Sequence, residues 1–402
     1  MATVSSKQPA YSLANYAHII GWGMAVPDRI MTNDDLSAIV ETDDKWIVER
    51  TGIRERRIAS DKESTATLAL KAAQKALAVA DILPIELDLI IVATSTPEYV
   101  FPSTASIVQN WLGATKAGAF DMSAACSGFV YAVNMAAQSI RTRSIQTALV
   151  IGAETMSRII DWTDRSTCIL FGDGAGAVVL RSSTIPGGIL STVLRSDGAG
   201  WDVLSVPSVG SRDLANAIQP NGHKPYRMYM DGPEVFKFAT RVVAESISQA
   251  VADAGLTMDN IKLIVPHQAN LRIISAAARA LKIEENRFMV NLDRYGNTSA
   301  ASIPIALVEA VQQGKVKDND YLAFCGFGGG LAWGSMVVKW GAPKSRTEER
   351  AILKGQRRQL SYTLAELRTR LRRIGKFWEG LTARFSRRGR IQRLRDRVDK
   401  LD

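Results

Sequence analysis

Cys126 is the residue of this 402-residue chain best placed to act as a nucleophile. It stands among very small neighbours, Ala124-Ala125-Cys126-Ser127-Gly128, and the run after it, 129–137, is apolar on nearly every side. Such a run predicts a buried helix. A thiol at its first turn meets unpaired backbone N–H groups and the positive end of the helix dipole. That setting lowers a thiol's pKa and favours attack on a carbonyl. Taken alone, the same cysteine is more often a small hydrophobe filling space. His267 directly follows the apolar run Ile261–Pro266. Strand ends of α/β sheets are where sites form, although a single histidine there is more often a bonded loop residue. Asn297 lies in Gly296-Asn297-Thr298-Ser299-Ala300-Ala301-Ser302, which by itself reads as a helix cap. The stretch Phe327-Gly328-Gly329-Gly330-Leu331 reads as a tight turn between two strands, and it could also present an N–H to a developing oxyanion.

These residues need elements to hold them. Apolar runs at 17–26, 89–94, 148–154 and 174–180 predict strands, and the unbroken character of 89–92 predicts one covered on both faces. Capping residues predict helices from Thr32, over 64–80 and over 103–112. The stretch 43–57 reads as a loop that gathers Trp46 with several arginines. It is either a solvated basic face or a stacking and charge site for a phosphorylated nucleotide. The second half repeats the first. Ala78-Val79-Ala80-Asp81 returns as Ala250-Val251-Ala252-Asp253, each shortly before an apolar strand, at an offset close to 172. Position 126 then maps beside Asn297, so two helix starts meet at one central place. Two related βα units are expected, giving an α/β protein.

Composition excludes several classes. Hydrophobic content of 46% and charged content of 22% are those of an ordinary globular protein. The cysteines number 3 (Cys126, Cys168, Cys325), which argues against a disulfide framework and for a reducing compartment. No spacing suggests a structural metal site, and no metal is expected at the functional site. The first 15 residues lack an apolar core of signal-peptide length, and no run approaches the ~18 apolar residues of a membrane span. A cytoplasmic protein is expected. The net charge of +10 is uneven: from Lys344 onward there are 19 Lys and Arg against 7 Asp and Glu, leaving 31 against 33 in the body. The basicity belongs to a tail, and a nucleic-acid partner is not expected.

Together the motifs resemble β-ketoacyl-acyl-carrier-protein synthase III of the thiolase superfamily. The resemblance rests on Ala-Ala-Cys126-Ser-Gly-Phe, Pro-His267-Gln-Ala-Asn270-Leu-Arg272-Ile, Gly-Asn297-Thr-Ser-Ala-Ala-Ser and Gly-Phe-Gly-Gly329-Gly-Leu-Ala-Trp-Gly, and runs from about residue 17 to 342. It implies a thiolase-like fold of two pseudo-symmetric halves in a layered αβαβα core, over 17–184 and 185–342. A loose arm over 1–16 and a basic helical tail over 343–402 flank them. It implies that Cys126 accepts an acyl group from acyl-CoA, and that His267 and Asn297 assist decarboxylation of malonyl-acyl-carrier-protein. Cys126 and Gly329 N–H groups would form the oxyanion hole. Trp46 and Arg165 match positions that sandwich the CoA adenine, with Arg50 and Thr51 beside them. Phe236 and Asn270 match the pantetheine tunnel. Arg272 matches a residue docking the acidic carrier protein, and Phe101 one that closes the partner's acyl pocket in a homodimer. Pro233 departs from the pattern, since some members have an asparagine donor there. No cofactor is implied. Two other readings keep weight here: a secondary-metabolite acyltransferase or head-to-head condensing enzyme of the same fold, and an inactive scaffold using the tail.

In that tail Leu364, Leu367, Leu371, Ile374, Trp378, Leu381 and Phe385 are spaced 3 and 4 apart, with the pattern resuming at Ile391 after a break near 386–389. This predicts an amphipathic basic helix packed on the body, on the dimer partner, on an acidic carrier protein, on another protein or on an anionic membrane surface.

Overall fold

The computed structural model describes residues 15–206, 227–341 and 354–378. The expected arm, save its last two residues, and the stripe beyond Trp378 lie outside them.

The strands are β1 (Tyr16–Ala25), β2 (Ile30–Thr32), β3 (Glu55–Arg57), β4 (Leu89–Ala93), β5 (Gly118–Met122), β6 (Thr147–Thr155), β7 (Asp173–Ser183), β8 (Gly188–Ser196), β9 (Leu204–Ser205), β10 (Tyr229–Met230), β11 (Ile261–Pro266), β12 (Tyr321–Gly328) and β13 (Ala332–Lys339). The helices are α1 (Asn33–Ser37), α2 (Asp44–Thr51), α3 (Thr65–Ala80), α4 (Thr104–Leu112), α5 (Gly128–Arg141), α6 (Gly232–Asp253), α7 (Leu271–Leu281), α8 (Leu292–Tyr295), α9 (Ser302–Gln312) and α10 (354–378).

One five-stranded sheet runs β1-β7-β6-β4-β5, and one four-stranded sheet runs β11-β12-β13-β8. The two are built alike. In each, a strand covered on both faces pairs in parallel with its neighbour, β4 with β6 and β11 with β12, and an antiparallel strand follows. The edge strand β5 beside β4 has a vestigial counterpart, an isolated parallel bridge of Phe288 to Ile264. Burial sorts the helices into layers. α5 and α9 pack between the sheets, with Phe129, Val133, Leu307 and Ala310 meeting Val150 and Val178 on one side and Phe324 and Met336 on the other. α3 and α4 cover the outer face of the first sheet, and α6 and α7 that of the second. Close packing at the centre needs a residue without a side chain. A methyl group on Gly152 of β6 would collide with the Ala300 carbonyl oxygen just before α9.

Two expectations change. The stretch 43–57 is not a loop, because Asp43 caps α2 by accepting from Trp46 N at 2.8 Å and Gly52, at φ 81°, ends it in the left-handed region. α5 is buried along one side only. Met135 on its other side is exposed, whereas every residue of α9 from Ser302 to Ala310 is buried.

Candidate active site

Two tight turns enter the central helices, and both start from a residue held at positive φ. Ala125 (φ 45°) opens the Ala125–Ser127 turn into α5, and Ser299 (φ 48°) opens the Ser299–Ala301 turn into α9. The turns touch, and Cys126 and Ala300 hold the same position in them, each directly after the positive-φ residue. Strained backbone of this kind costs on the order of 1–3 kcal/mol and persists where packing dictates it.

Cys126 lies at the inner end of a cavity of about 610 Å³ whose lining also includes His267, Asn297, Phe327 and Gly328. Burial and the nearby Glu154 charge push the thiol up to about 12, against a hydrogen bond with Ser299 that acts the other way. This corrects the expected lowering. The helix dipole is present, but loss of water around the sulfur outweighs it. The resting group is therefore the thiol.

Gly328 is the residue that lets β12 approach this sulfur. A Cβ built there would fall 2.9 Å from the Cys126 nitrogen and 3.2 Å from its Sγ. Gly329 follows it at the hairpin, where the space beside its Cα belongs to the Leu204 carbonyl.

His267 is buried, and burial holds its imidazole near 3, so it is neutral. Its backbone N–H donates to the Cys325 carbonyl at 2.7 Å, fixing it at the end of β11. Nδ1 is 2.6 Å from Ser302 Oγ at the start of α9, and the ring meets Phe327 edge-on at 5.0 Å between centroids. Ser302 Oγ also reaches the Ser299 carbonyl at 2.9 Å. A hydroxyl has one proton to give. Spent on the Ser299 carbonyl, that proton leaves Nδ1–H donating to Oγ; given to Nδ1, it leaves the ring proton on Nε2, which is then a donor. Asn297 is oriented in a similar way. Its Oδ1 accepts from Ser299 N at 2.8 Å, which leaves the side-chain NH2 as a donor in the cavity.

Behind these residues stands Glu154, buried at the end of β6 with its pKa raised by desolvation. Its carboxyl accepts from Thr96 Oγ1 at 2.6 Å, from Ser95 and Thr96 N at 3.0 Å, and from Ser299 Oγ at 2.9 Å. Ser299 thus links Glu154 to Cys126. Glu154, Ser299 and Ser302 were given no role by the sequence reading. A lone acid closing a wholly apolar strand was the available signal for the first.

The cavity leads out past Phe236, Asn270, Thr51 and Arg272 to Trp46, Arg50 and Arg165. Trp46 is flanked by cations, with the Arg50 guanidinium 4.5 Å and that of Arg165 5.3 Å from the ring centroid. Asn270 caps α7, accepting from Arg272 N and donating to the Arg50 carbonyl at 3.0 Å. Arg272 lies over the Phe236 ring at 5.1 Å. Pro233 lines the wall without a donor. Arg56, one of the cluster expected near a nucleotide, is instead buried structure bonded to Met31 and Ile169 carbonyls and to Asn33. Phe101 is brought to none of these: it is 86% exposed on the loop before α4. Among the described residues no group of His, Cys, Asp and Glu is placed to hold a metal ion.

Comparison with known proteins bears on this geometry. A family profile described as 3-oxoacyl-[acyl-carrier-protein (ACP)] synthase III matches residues 120–198, and one for its C terminal matches 251–340. The chain is 51% identical over 330 residues to a beta-ketoacyl-[acyl-carrier-protein] synthase III of Roseiflexus sp., covering 82% of this chain and 100% of that one. The crystal structure of 3-oxoacyl-[acyl-carrier-protein] synthase III from Aquifex aeolicus superposes with a TM-score of 0.75 at 45% identity, covering 81% of this chain and 100% of that one. The priming β-ketosynthase of the R1128 polyketide pathway gives 0.77 at 35%, covering 84% and 100%.

Proposed function

The chain belongs to the 3-oxoacyl-[acyl-carrier-protein] synthase III family, with its thiolase-like fold, and we propose a division of labour among its residues in the initiating condensation of fatty acid synthesis. In that reaction an acyl group from acyl-CoA is condensed with malonyl-acyl-carrier-protein to give 3-oxoacyl-acyl-carrier-protein, CoA and CO2.

Cys126 Sγ attacks the acyl-CoA thioester. A carbon–sulfur bond forms to Cys126, the bond to CoA breaks, and the thiol's proton ends on the departing CoA sulfur. An acyl-Cys126 thioester remains. The N–H groups of Cys126 and Gly329 hold the oxyanion of this step and of the later one. The malonyl thioester then enters the same cavity. His267 Nε2–H and the Asn297 NH2 donate to its carbonyl oxygen. As CO2 leaves, the electron pair of the broken C–C bond becomes an enolate whose negative charge sits on that oxygen. Two neutral donors in a water-poor cavity stabilise it, each worth roughly 3 kcal/mol. The carbanion attacks acyl-Cys126, the C–S bond breaks, and the released thiolate takes up one proton from solvent. The meeting of Cys126, His267 and Asn297 at one end of the cavity carries this reading.

The outer cavity takes CoA. Arg165 and Trp46 part to admit the adenine, with Arg50 and Thr51 beside it, and the pantetheine passes Phe236 and Asn270. Arg272 meets the acidic carrier protein. No cofactor takes part. A homodimer is supported by the exposed edge of β5, including Phe120, and by the apolar loop Tyr99-Val100-Phe101, which would reach the partner's acyl pocket. The division into halves 17–184 and 185–342 is supported by the break between β7, which ends at Ser183, and β8, which begins at Gly188. The reaction is placed in the cytoplasm. No helix among the described residues is long and apolar enough to cross a membrane.

The test is turnover of acetyl-CoA with malonyl-acyl-carrier-protein. CO2 release matched by 3-oxoacyl-acyl-carrier-protein is expected. No CO2 from any acyl-CoA would overturn the proposal.

A further inference from the structure

Helix α10 has two unlike faces. Toward the body, Arg358 pairs with Asp81 at 2.9 Å, Lys354 donates to the Asp81 carbonyl at 3.0 Å, and Thr369 accepts from Asn110 at 3.0 Å. Ala365, on the same face, is buried over Gly113. The face that packs inward on the ends of α3 and α4 is mixed, its polar residues joined by Ala365 and Tyr362. Outward it shows Leu360, Leu364, Leu367, Leu371, Ile374 and Trp378, each between 50% and 62% exposed, with Phe377 beside them. This reverses the burial expected of the apolar face of a packed helix. From Leu371 onward every described residue of the helix is exposed.

Charge decides what could cover this stripe. Residues 354–378 hold eight Lys and Arg against one acid, Glu366, which is paired with Arg370 at 2.6 Å. In a self-paired coiled coil the flanking positions are filled by Thr363, Arg368, Arg370, Gly375 and Phe377, so no acid is offered to a second copy's cations. A bilayer with anionic headgroups satisfies both features. Its acyl region takes the leucines and aromatics, and its phosphates take the arginines, whose long stems reach outward. We propose that α10 is a peripheral membrane-docking element that lays its apolar stripe on an anionic lipid surface. The element is additional to the family profiles, whose matches end at residue 340. Its body contacts share no residue with the Cys126 cavity, so docking leaves the catalytic cavity open.

The full-length protein is sedimented with vesicles of equal parts phosphatidylglycerol and phosphatidylcholine, and with phosphatidylcholine vesicles. Capture by the anionic vesicles is expected to be about tenfold greater. The double variant Leu367→Glu/Leu371→Glu should lose about tenfold of that capture while keeping its condensing activity in solution, since both residues are exposed. Equal capture by the two vesicle types would overturn the proposal. So would a variant that sediments with vesicles as the parent does. A variant that lowers the oligomeric mass while the parent ignores anionic vesicles would assign the stripe to a second copy and overturn it equally.

Discussion

The two turns that enter α5 and α9 share a backbone but not a chemistry. Both begin from a residue at positive φ and both pack at the molecular centre, yet one presents Cys126 and the other presents Ala300 at the matching place. The polar groups differ between the turns: the second has Asn297 before it, Ser299 at its start and Ser302 after it, where the first has Ser123, Ala125 and Gly128. A duplicated scaffold has thus been divided. In the proposed reaction one copy offers the atom that reacts, and the other holds and orients the donors. The lesson is that pseudo-symmetry brings unlike groups together more tightly than two independent loops could, because each rests on a buried helix rather than on solvent-exposed chain.

The largest effect should come from the reacting turn. Cys126→Ser should lower condensation by ~10³-fold or more, measured as 3-oxoacyl-acyl-carrier-protein formed per minute. Activity near the parent's would erase the distinction between the two turns. Asn297→Ala removes a donor on the supporting side. It should cost about 10²-fold in malonyl decarboxylation while leaving acyl transfer from acyl-CoA within a few fold. Equal losses in both half-reactions would show that the second turn serves acylation as well. Ser302→Ala frees His267 Nδ1 and its tautomer, and a loss of about tenfold in decarboxylation is expected, again sparing acyl transfer. The smallest effect is a shift in pH. Burial first, and then the Glu154 charge, raise the Cys126 thiol to about 12. Removing that charge favours the thiolate. Glu154→Gln should therefore move the rise of Cys126 alkylation by iodoacetamide to lower pH. A shift to higher pH would mean that the bond through Ser299 outweighs the charge.

How far the sequence reaches can be judged from particular residues. Cys126, His267, Asn297 and the glycine hairpin were legible because each belongs to a local pattern of small residues or a strand end. The repeat at 172 residues announced the two halves. The supporting residues were hidden for physical reasons. Ser299 and Ser302 look like any hydroxyls at a helix start, and their partners lie 145 and 35 residues away. Glu154 looks like a strand terminus reaching solvent, and only the packed structure shows the backbone amides of Ser95 and Thr96 closed around it. The direction of the Cys126 shift depends on desolvation, which a linear pattern does not carry. The tail pattern gave the helix and its stripe but not the side facing outward, because that depends on Asp81 and Asn110 taking polar residues of the opposite face.

The central claim is that Cys126 is the residue that carries the acyl group. Intact mass measured after exposure to acyl-CoA, with the site located by proteolysis, tests it most directly. The account predicts an acyl increment on Cys126 that disappears when malonyl-acyl-carrier-protein is added, with 3-oxoacyl-acyl-carrier-protein forming in equal amount. An unmodified Cys126 in an enzyme that still condenses, or an increment located on Cys168 or Cys325, would contradict it.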